Sequence, residues 1–168
     1  SNERFCKERK GDKDLRFEKT KKIFNLKNKV IILTGSAGLL GSQYAQILSD
    51  AGAKLILVDV DIKKNQKLAD NINRKYKTHP ICENVDITSK EEVKELALKI
   101  KKRFGKIDGL INNAFLNHAK SQSKHGKNSF EAFPIDIWKK SLELNLTGVF
   151  LCCQEIGNIM AKQKNGVI

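Results

Sequence analysis

Apolar positions after residue 23 fall into two alternating patterns: short continuous runs, and longer stretches with helical spacing. The runs are KVIIL, KLILVD, ICENVD and IDGLIN, and each has the length of a single strand. Between them, helices are predicted over residues 39–51, 62–76 and 89–104. Strands separated by helices of this length predict parallel βαβ units. The predicted fold class is therefore α/β, with a doubly wound parallel sheet.

Residues at the predicted helix ends support these boundaries. Ser89 is followed three residues later by Glu92, the spacing of a capping box, and Gly52 and Gly105 stand where two helices would end. The stretch 115–133 is rich in Lys, Ser, His and Asn, and it predicts a long loop after the fourth strand.

A fourth, longer helix is predicted to begin at Pro134. Its apolar positions form one stripe: Trp138, Leu142, Val149, Cys152, Ile156 and Ile159. Asn145 falls on this stripe. Burying an amide without a partner costs about 1–3 kcal/mol, so a polar group is predicted to face Asn145.

Length and composition place one domain in the chain. The 168 residues are 40% hydrophobic, enough for one core, which we assign to residues 23–168. Residues 1–22 hold nine Lys or Arg against five Asp or Glu and predict a flexible extension.

No apolar run approaches the roughly 20 residues that span a bilayer, so a soluble, cytoplasmic protein is expected. The four cysteines contain no CxxC pair, so reduced thiols and no metal site are expected.

The net charge of +13 widens the choice of partners only slightly. A basic surface attracts nucleic acid or anionic lipid, but lysines on solvated helix faces are the commoner explanation. The chain has no recognised nucleic-acid module and only 7% aromatic residues. Neither a specific nucleic-acid partner nor a membrane partner is expected.

Three glycines in TGSAGLLG carry the strongest chemical pattern. Gly35 permits a sharp turn, Gly38 a close approach to a pyrophosphate, and Gly41 close packing of the new helix on the sheet. Asp59 ends the second strand eighteen residues after Gly41, where a carboxylate can accept hydrogen bonds from a ribose diol. The alternatives are an ordinary strand-to-helix turn for the glycines and a helix-terminal charge for Asp59.

Several motifs in order resemble the short-chain dehydrogenase/reductase family, whose fold is the Rossmann-type sheet. They are TGSAGLLG, Asp59, VDIT, RFGKIDGLINNA and LELNLTGVFLCCQ. The resemblance implies that Asp86 bonds adenine and that Asn145 belongs to the active site, holding a water of the proton relay. A core asparagine bonded to backbone is the other interpretation of Asn145. The implied cofactor-binding residues are Gly35, Ser36, Gly38, Leu39, Leu40, Gly41, Asp59, Asp86, Ile87, Asn112, Asn113 and Ala114.

The resemblance implies an oxidoreductase that transfers hydride between NAD(P) and a carbonyl or alcohol substrate. The family's serine and Tyr-x-x-x-Lys pair are not within these 168 residues, so the chain alone is expected to be inactive. A non-catalytic dinucleotide-binding module is one alternative. The glycine spacing TGxxGxxG is more typical of the extended, sugar-nucleotide-modifying branch, which is another.

The charges near the predicted site suggest which ligands it takes. NAD is expected over NADP because Asp59 would repel a 2′-phosphate, although Lys63 and Lys64 act in the opposite sense. The loop 115–133 is expected either to border the substrate site, where its basic residues would favour an anionic substrate, or to be a solvated loop. Those basic residues are Lys120, Lys124, His125 and Lys127. A homo-oligomer is expected for the complete protein.

Overall fold

The computed structural model describes residues 24–116 and 130–168. The predictions for residues 1–22, and for most of the loop 115–133 with its basic residues, lie outside the described residues. The strands are β1 Val30–Thr34, β2 Lys54–Val58, β3 Ile81–Glu83 and β4 Gly109–Ile111. The helices are α1 Leu39–Asp50, α2 Ile62–Tyr76, α3 Lys90–Phe104, α4 Ile135–Leu142 and α5 Val149–Lys162, with a 3₁₀ turn at Phe130–Ala132 and a π-helical segment at Glu143–Gly148.

The strands form one parallel sheet in the order β3-β2-β1-β4, which confirms the predicted fold class. Ile31 is central to the register, because it lies opposite Leu55 of β2 on one side and Gly109 of β4 on the other. Beyond β4, Val167 forms a parallel bridge to Gly109 and begins a further strand position. From β1 the chain first builds the sheet to one side, through β2 and β3, and then returns to the other side of β1 with β4. The boundary between β1 and β4 is therefore the topological switch point.

Alternate residues of the buried strands supply a core on each face of the sheet. Ile32 and Ile56 pack with α3 and α5 on one face, in a cluster that includes Ile100 and Ile156. On the other face, Leu33, Leu55 and Leu57 pack against α1 and α2 through residues such as Ala45 and Ile72. Continuous burial of β1 explains why its sequence is an unbroken apolar run.

The long helix predicted from Pro134 is interrupted. Pro134 is its N-cap, but the π-helical segment separates α4 from α5. Each extra residue in a helical turn rotates the following face by about 100°. The predicted stripe is buried only on α5, at Cys152 and Ile156; no side chain of α4 is buried, and Trp138 and Leu142 are exposed.

The third strand is shorter than predicted. It ends at Glu83, although the apolar pattern extended the strand to Asp86. Strand β2 ends at Val58, so no neighbouring strand remains for residues 84–86. The Asn84 side chain instead donates to the carbonyl of Val60 at 2.8 Å.

Within residues 24–116 and 130–168, no helix combines the length and apolar character needed to cross a membrane.

Candidate dinucleotide-binding site

A cavity of about 380 Å³ opens at the carboxyl ends of β1, β2 and β4. Of the thirteen predicted site residues, ten line it: Gly35, Gly38, Leu39, Leu40, Gly41, Asp59, Asp86, Ile87, Asn113 and Ala114. The prediction did not include the apolar wall, which is made by Val58, Val60, Val85, Phe115 and Leu144. Open α/β sheets bind their ligands at this edge.

Two glycines are required by the packing of the turn. Gly35 has a φ of 62°, and a Cβ there would lie 2.6 Å from the Cα of Ala114. A Cβ on Gly41 would lie 2.1 Å from the carbonyl oxygen of Gly35. Because both positions exclude any side chain, the turn brings bare backbone to the cavity wall.

The N-terminus of α1 faces this cavity without a cap. Gly38 is the N-cap residue, no side chain caps the N–H groups of the first turn, and the first turn contains no acidic residue. The N–H groups of the first turn have no partner within a helix. Together with the helix dipole, they form a site for an anion such as a diphosphate, so the turn fits the phosphate part of a dinucleotide.

Asp59 joins the glycine-rich turn to the segment after β2. Its carboxylate accepts the N–H of Ala37 and the N–H of Asp61, each at 2.9 Å and each on a different oxygen. A carboxylate oxygen has two lone-pair sites, so both oxygens retain acceptor capacity. The half-buried carboxylate is thus held in place and can still accept two hydroxyl hydrogen bonds.

Asp86 lines the cavity from the segment that joins β3 to α3. Its Oδ1 accepts the N–H of Thr88 at 2.9 Å and the Thr88 hydroxyl at 2.8 Å. The predicted capping box is modified here: Ser89 caps α3, but the Glu92 carboxylate accepts the N–H of Asp86 rather than that of Ser89. These bonds fix Asp86 and leave Oδ2 without a donor among the described residues.

Sequence reasoning missed Thr34 as a residue of the site. Its Oγ1 accepts the N–H groups of Asn113 and Ala114, at 3.0 and 3.1 Å, and donates to the carbonyl of Ile111. The Asn113 amide donates in turn to the carbonyl oxygens of Thr34 and Gly35, both at 3.0 Å. A hydroxyl residue ending an otherwise apolar strand was the only available sign of this role.

Two predicted residues turn away from the cavity. The Ser36 hydroxyl is buried and donates to Asn65 Oδ1 at 2.7 Å, so only the backbone of Ser36 belongs to the turn. The Asn112 amide donates to Cys153 Sγ at 3.3 Å, on the α5 side, and its buried Oδ1 has no partner in the described structure. The structure therefore does not bring Asn112 to the cavity.

Asn145 lies in the π-helical segment next to the chain that leaves β4. Its Oδ1 accepts the N–H of Leu116 at 2.9 Å, and its side chain is half-buried. The polar group predicted to face Asn145 is therefore the backbone that follows the NNA motif. The bond fixes where residues 115 and 116 leave the sheet.

Two of the described thiols are clearly not activated nucleophiles. Cys82, Cys152 and Cys153 are free. Burial raises the pKa of Cys152 to about 12, and burial also raises the pKa of Cys82. Both therefore stay protonated at neutral pH. No group of three His, Cys, Asp or Glu residues suited to a metal occurs in the described part of the chain.

The sheet order and the glycine-lined cavity at the switch point define a Rossmann-type protein. A family model described as short chain dehydrogenase matches residues 29–168. The chain belongs to the short-chain dehydrogenase/reductase family, as the order of its motifs predicted.

Three similar proteins illustrate the match. NAD-dependent glycerol dehydrogenase of Listeria innocua is 35% identical over 149 residues, covering 88% of this chain and 53% of the relative. The crystal structure of levodione reductase is 30% identical with a TM-score of 0.75, covering 84% and 53%. That of NAD⁺-bound xylitol dehydrogenase is 25% identical with a TM-score of 0.73, covering 84% and 52%. The chain thus spans about half the length of these relatives.

Proposed function

We propose that this protein is an oxidoreductase that transfers hydride between a nicotinamide cofactor and the carbonyl or alcohol carbon of a small molecule, with NAD(H) as the cofactor. The observation that carries the proposal is the pairing of an uncapped helix N-terminus with the Asp59 carboxylate at one cavity. The names of the relatives, which are dehydrogenases and reductases, favour an enzyme over a binding module.

The cavity offers a separate place for each part of the cofactor. The N-terminus of α1 would hold the diphosphate, Asp59 the adenosine ribose, and Asp86 the adenine ring. The backbone of Asn113 and Ala114, fixed by Thr34, would line the adenosine side. The cofactor supplies the hydride chemistry, and these residues bind and orient it.

Proton transfer needs residues beyond those described. Asn145 is proposed to hold a water of the relay, since its Oδ1 is already fixed by Leu116 and its amide group is still able to donate. The family's serine and Tyr-x-x-x-Lys pair are not within the 168 residues, so these residues alone are expected to be inactive. A positioned acid or base typically contributes 10²–10⁴-fold, as an order of magnitude.

Two finer proposals concern substrate and assembly. The loop 115–133 leaves the carboxyl end of β4, and its basic residues would favour an anionic substrate. Exposed apolar side chains on the helical stretch from α4 to α5, among them Trp138, Leu146 and Phe150, support a homo-oligomer.

Titration with NADH and NADPH tests the cofactor assignment. We expect tighter binding of NADH, and Asp59→Ala should narrow the difference because it removes both the ribose acceptor and the repulsion of a 2′-phosphate. Asp70→Ala, which removes an equal charge from the exposed face of α2, should leave the difference unchanged. Equal affinities in the unmodified protein would overturn the choice of NAD(H), and binding of neither nucleotide would overturn the function.

A further inference from the structure

The first turn of α2 contains a lysine, Lys64, that would favour NADP(H), and the structure shows what holds it. Lys64 Nζ lies 2.7 Å from Asp61 Oδ2. The other carboxylate oxygen of Asp61 accepts the backbone N–H of Lys64 at 3.1 Å, and Asp61 is the N-cap of α2. The Asp61 carboxylate therefore binds both the ammonium group of Lys64 and a backbone N–H that has no partner within the helix.

Lys64 is linked through Asp61 to Asp59, the carboxylate proposed to bind ribose. Its pKa is raised first by the hydrogen bond to Asp61, and the charge of Asp59 raises it as well. The pKa of Asp61 is lowered by its bonds to Lys64. Asp59 Oδ1 accepts the Asp61 N–H at 2.9 Å, so the two carboxylates lie on one short loop at the cavity rim. The Lys64 ammonium is thus connected to Asp59 through a single residue, Asp61.

A 2′-phosphate bound near Asp59 would be attracted by the positively polarised N-terminus of α2 and by the ammonium groups of Lys63 and Lys64. Asp61 binds the Lys64 ammonium and one N–H of that terminus, so it withholds two of these donors from a phosphate. We propose that Asp61 is a specificity-determining residue that disfavours 2′-phosphorylated cofactors by holding Lys64. This inference rests on the proposed function.

Asp61 acts differently from Asp59. Asp59 lines the cavity and would contact the ribose and repel a phosphate directly, whereas Asp61 does not line the cavity and would act through Lys64. The ion pair is solvent-exposed, with 72% of the Lys64 side chain accessible, so it rearranges at little cost once one partner is changed. Releasing Lys64 should therefore affect only ligands that carry the additional phosphate.

Calorimetric titration of the full chain with 5′-AMP and with adenosine 2′,5′-bisphosphate separates the two effects. Asp61→Asn keeps a good N-cap and removes the charge. We expect it to tighten bisphosphate binding by about three- to ten-fold, the range for an exposed pair plus a relieved repulsion. Its affinity for 5′-AMP should change less than about two-fold, on the same argument.

Two control variants test the route through Lys64. The double variant Asp61→Asn/Lys64→Gln should lose most of the gain in bisphosphate affinity that Asp61→Asn produces. Glu91→Gln adds the same net charge in the exposed first turn of α3 and should produce no gain. A gain that persists without Lys64, or that Glu91→Gln reproduces, would overturn the proposal, as would an unchanged bisphosphate affinity in Asp61→Asn. If the unmodified protein bound neither adenosine nucleotide, the proposed function would fall, and this inference with it.

Discussion

The polar groups at the amino ends of the strands are used up by bonds within the protein, whereas those at the carboxyl ends keep unused hydrogen-bonding sites. At the amino ends, the buried Asp108 carboxylate accepts the Val30 N–H at 2.9 Å and lies 2.9 Å from Lys106 Nζ and 3.5 Å from Lys29 Nζ. Its backbone adds bonds to Val30 and Val167. At the carboxyl ends, the first turn of α1 is uncapped, and Asp59 and Asp86 keep unused acceptor sites.

This difference separates structural chemistry from ligand chemistry. Asp108 joins β1 to β4 and to the strand position beyond it, and it has little acceptor capacity left for a ligand. The carboxyl end is held rigid by bonds such as those of Thr34, yet it presents unpartnered donors and acceptors at a cavity. A fixed frame with open polar groups is what ligand recognition requires.

Gly35→Ala should have the largest effect, because it disrupts the packing of the glycine-rich turn against Ala114 at the carboxyl ends of the strands. The new Cβ would have both a positive φ and a contact of 2.6 Å with the Cα of Ala114. We expect a loss of about 3 kcal/mol in the free energy of unfolding, measured by urea titration, together with loss of nucleotide binding. Gly105→Ala is the control: its φ is 74° but nothing lies within 4 Å, so a loss of only about 1 kcal/mol is expected. Equal losses would show that the contact with Ala114 is unimportant.

Thr34→Val should have an intermediate effect. It conserves shape but removes the acceptor for the N–H groups of Asn113 and Ala114. Leaving such groups unpaired should cost about 2 kcal/mol of unfolding free energy and weaken nucleotide binding, since the adenosine wall loses its support. Thr34→Ser keeps the hydroxyl and should retain nucleotide affinity. If both variants bind nucleotide equally well, the proposed role of Thr34 is wrong.

Asp108→Asn should have the smallest effect, confined to stability and dependent on pH. Burial raises the pKa of Asp108, but the bonds from Lys106 and Val30 outweigh burial, so the pKa lies below its ordinary 3.8. A carboxyl group with a lowered pKa stabilises the fold above pH 3.8 and loses that contribution as the pH falls further. At pH 7 we expect the variant to be about 1 kcal/mol less stable, because it keeps the bond to Val30 but loses the ion pairs.

The pH series for Asp108→Asn provides its own control. Unfolding free energies of the variant and the unmodified protein should converge as the pH is lowered, and nucleotide affinity at pH 7 should be the same in both. A constant difference at every pH would exclude the ion pairs as its cause. A change in affinity would contradict the separation between the two ends of the sheet.

The patterned parts of the molecule were predictable from sequence. The predicted helix over residues 62–76 matches α2 at both ends, and the glycine triplet and Asp59 meet at one cavity. These features depend on local periodicity and on motifs whose geometry is fixed by backbone shape. The same holds for Ser89, which caps α3.

The parts that the sequence did not predict depend on contacts between distant segments. The π-helical segment interrupts the predicted helix and no side chain of α4 is buried, and the 3.6-residue periodicity predicts neither feature. The roles of Thr34 and Asn112 are set by residues that follow β4 or lie on α5. The short β3 is limited by the end of β2, which is its only neighbour in the described sheet.

The strand order also determines how the sheet assembles. Strand β1 pairs with β2, where Leu55 lies 24 residues after Ile31, and with β4, where Gly109 lies 78 residues after Ile31. Closing the longer loop costs about 1 kcal/mol more in chain entropy. Pairing of β1 with β2 should therefore precede docking of β4. The cavity edge, which needs both neighbours of β1, is completed only late in folding, when residues far apart in the chain have met.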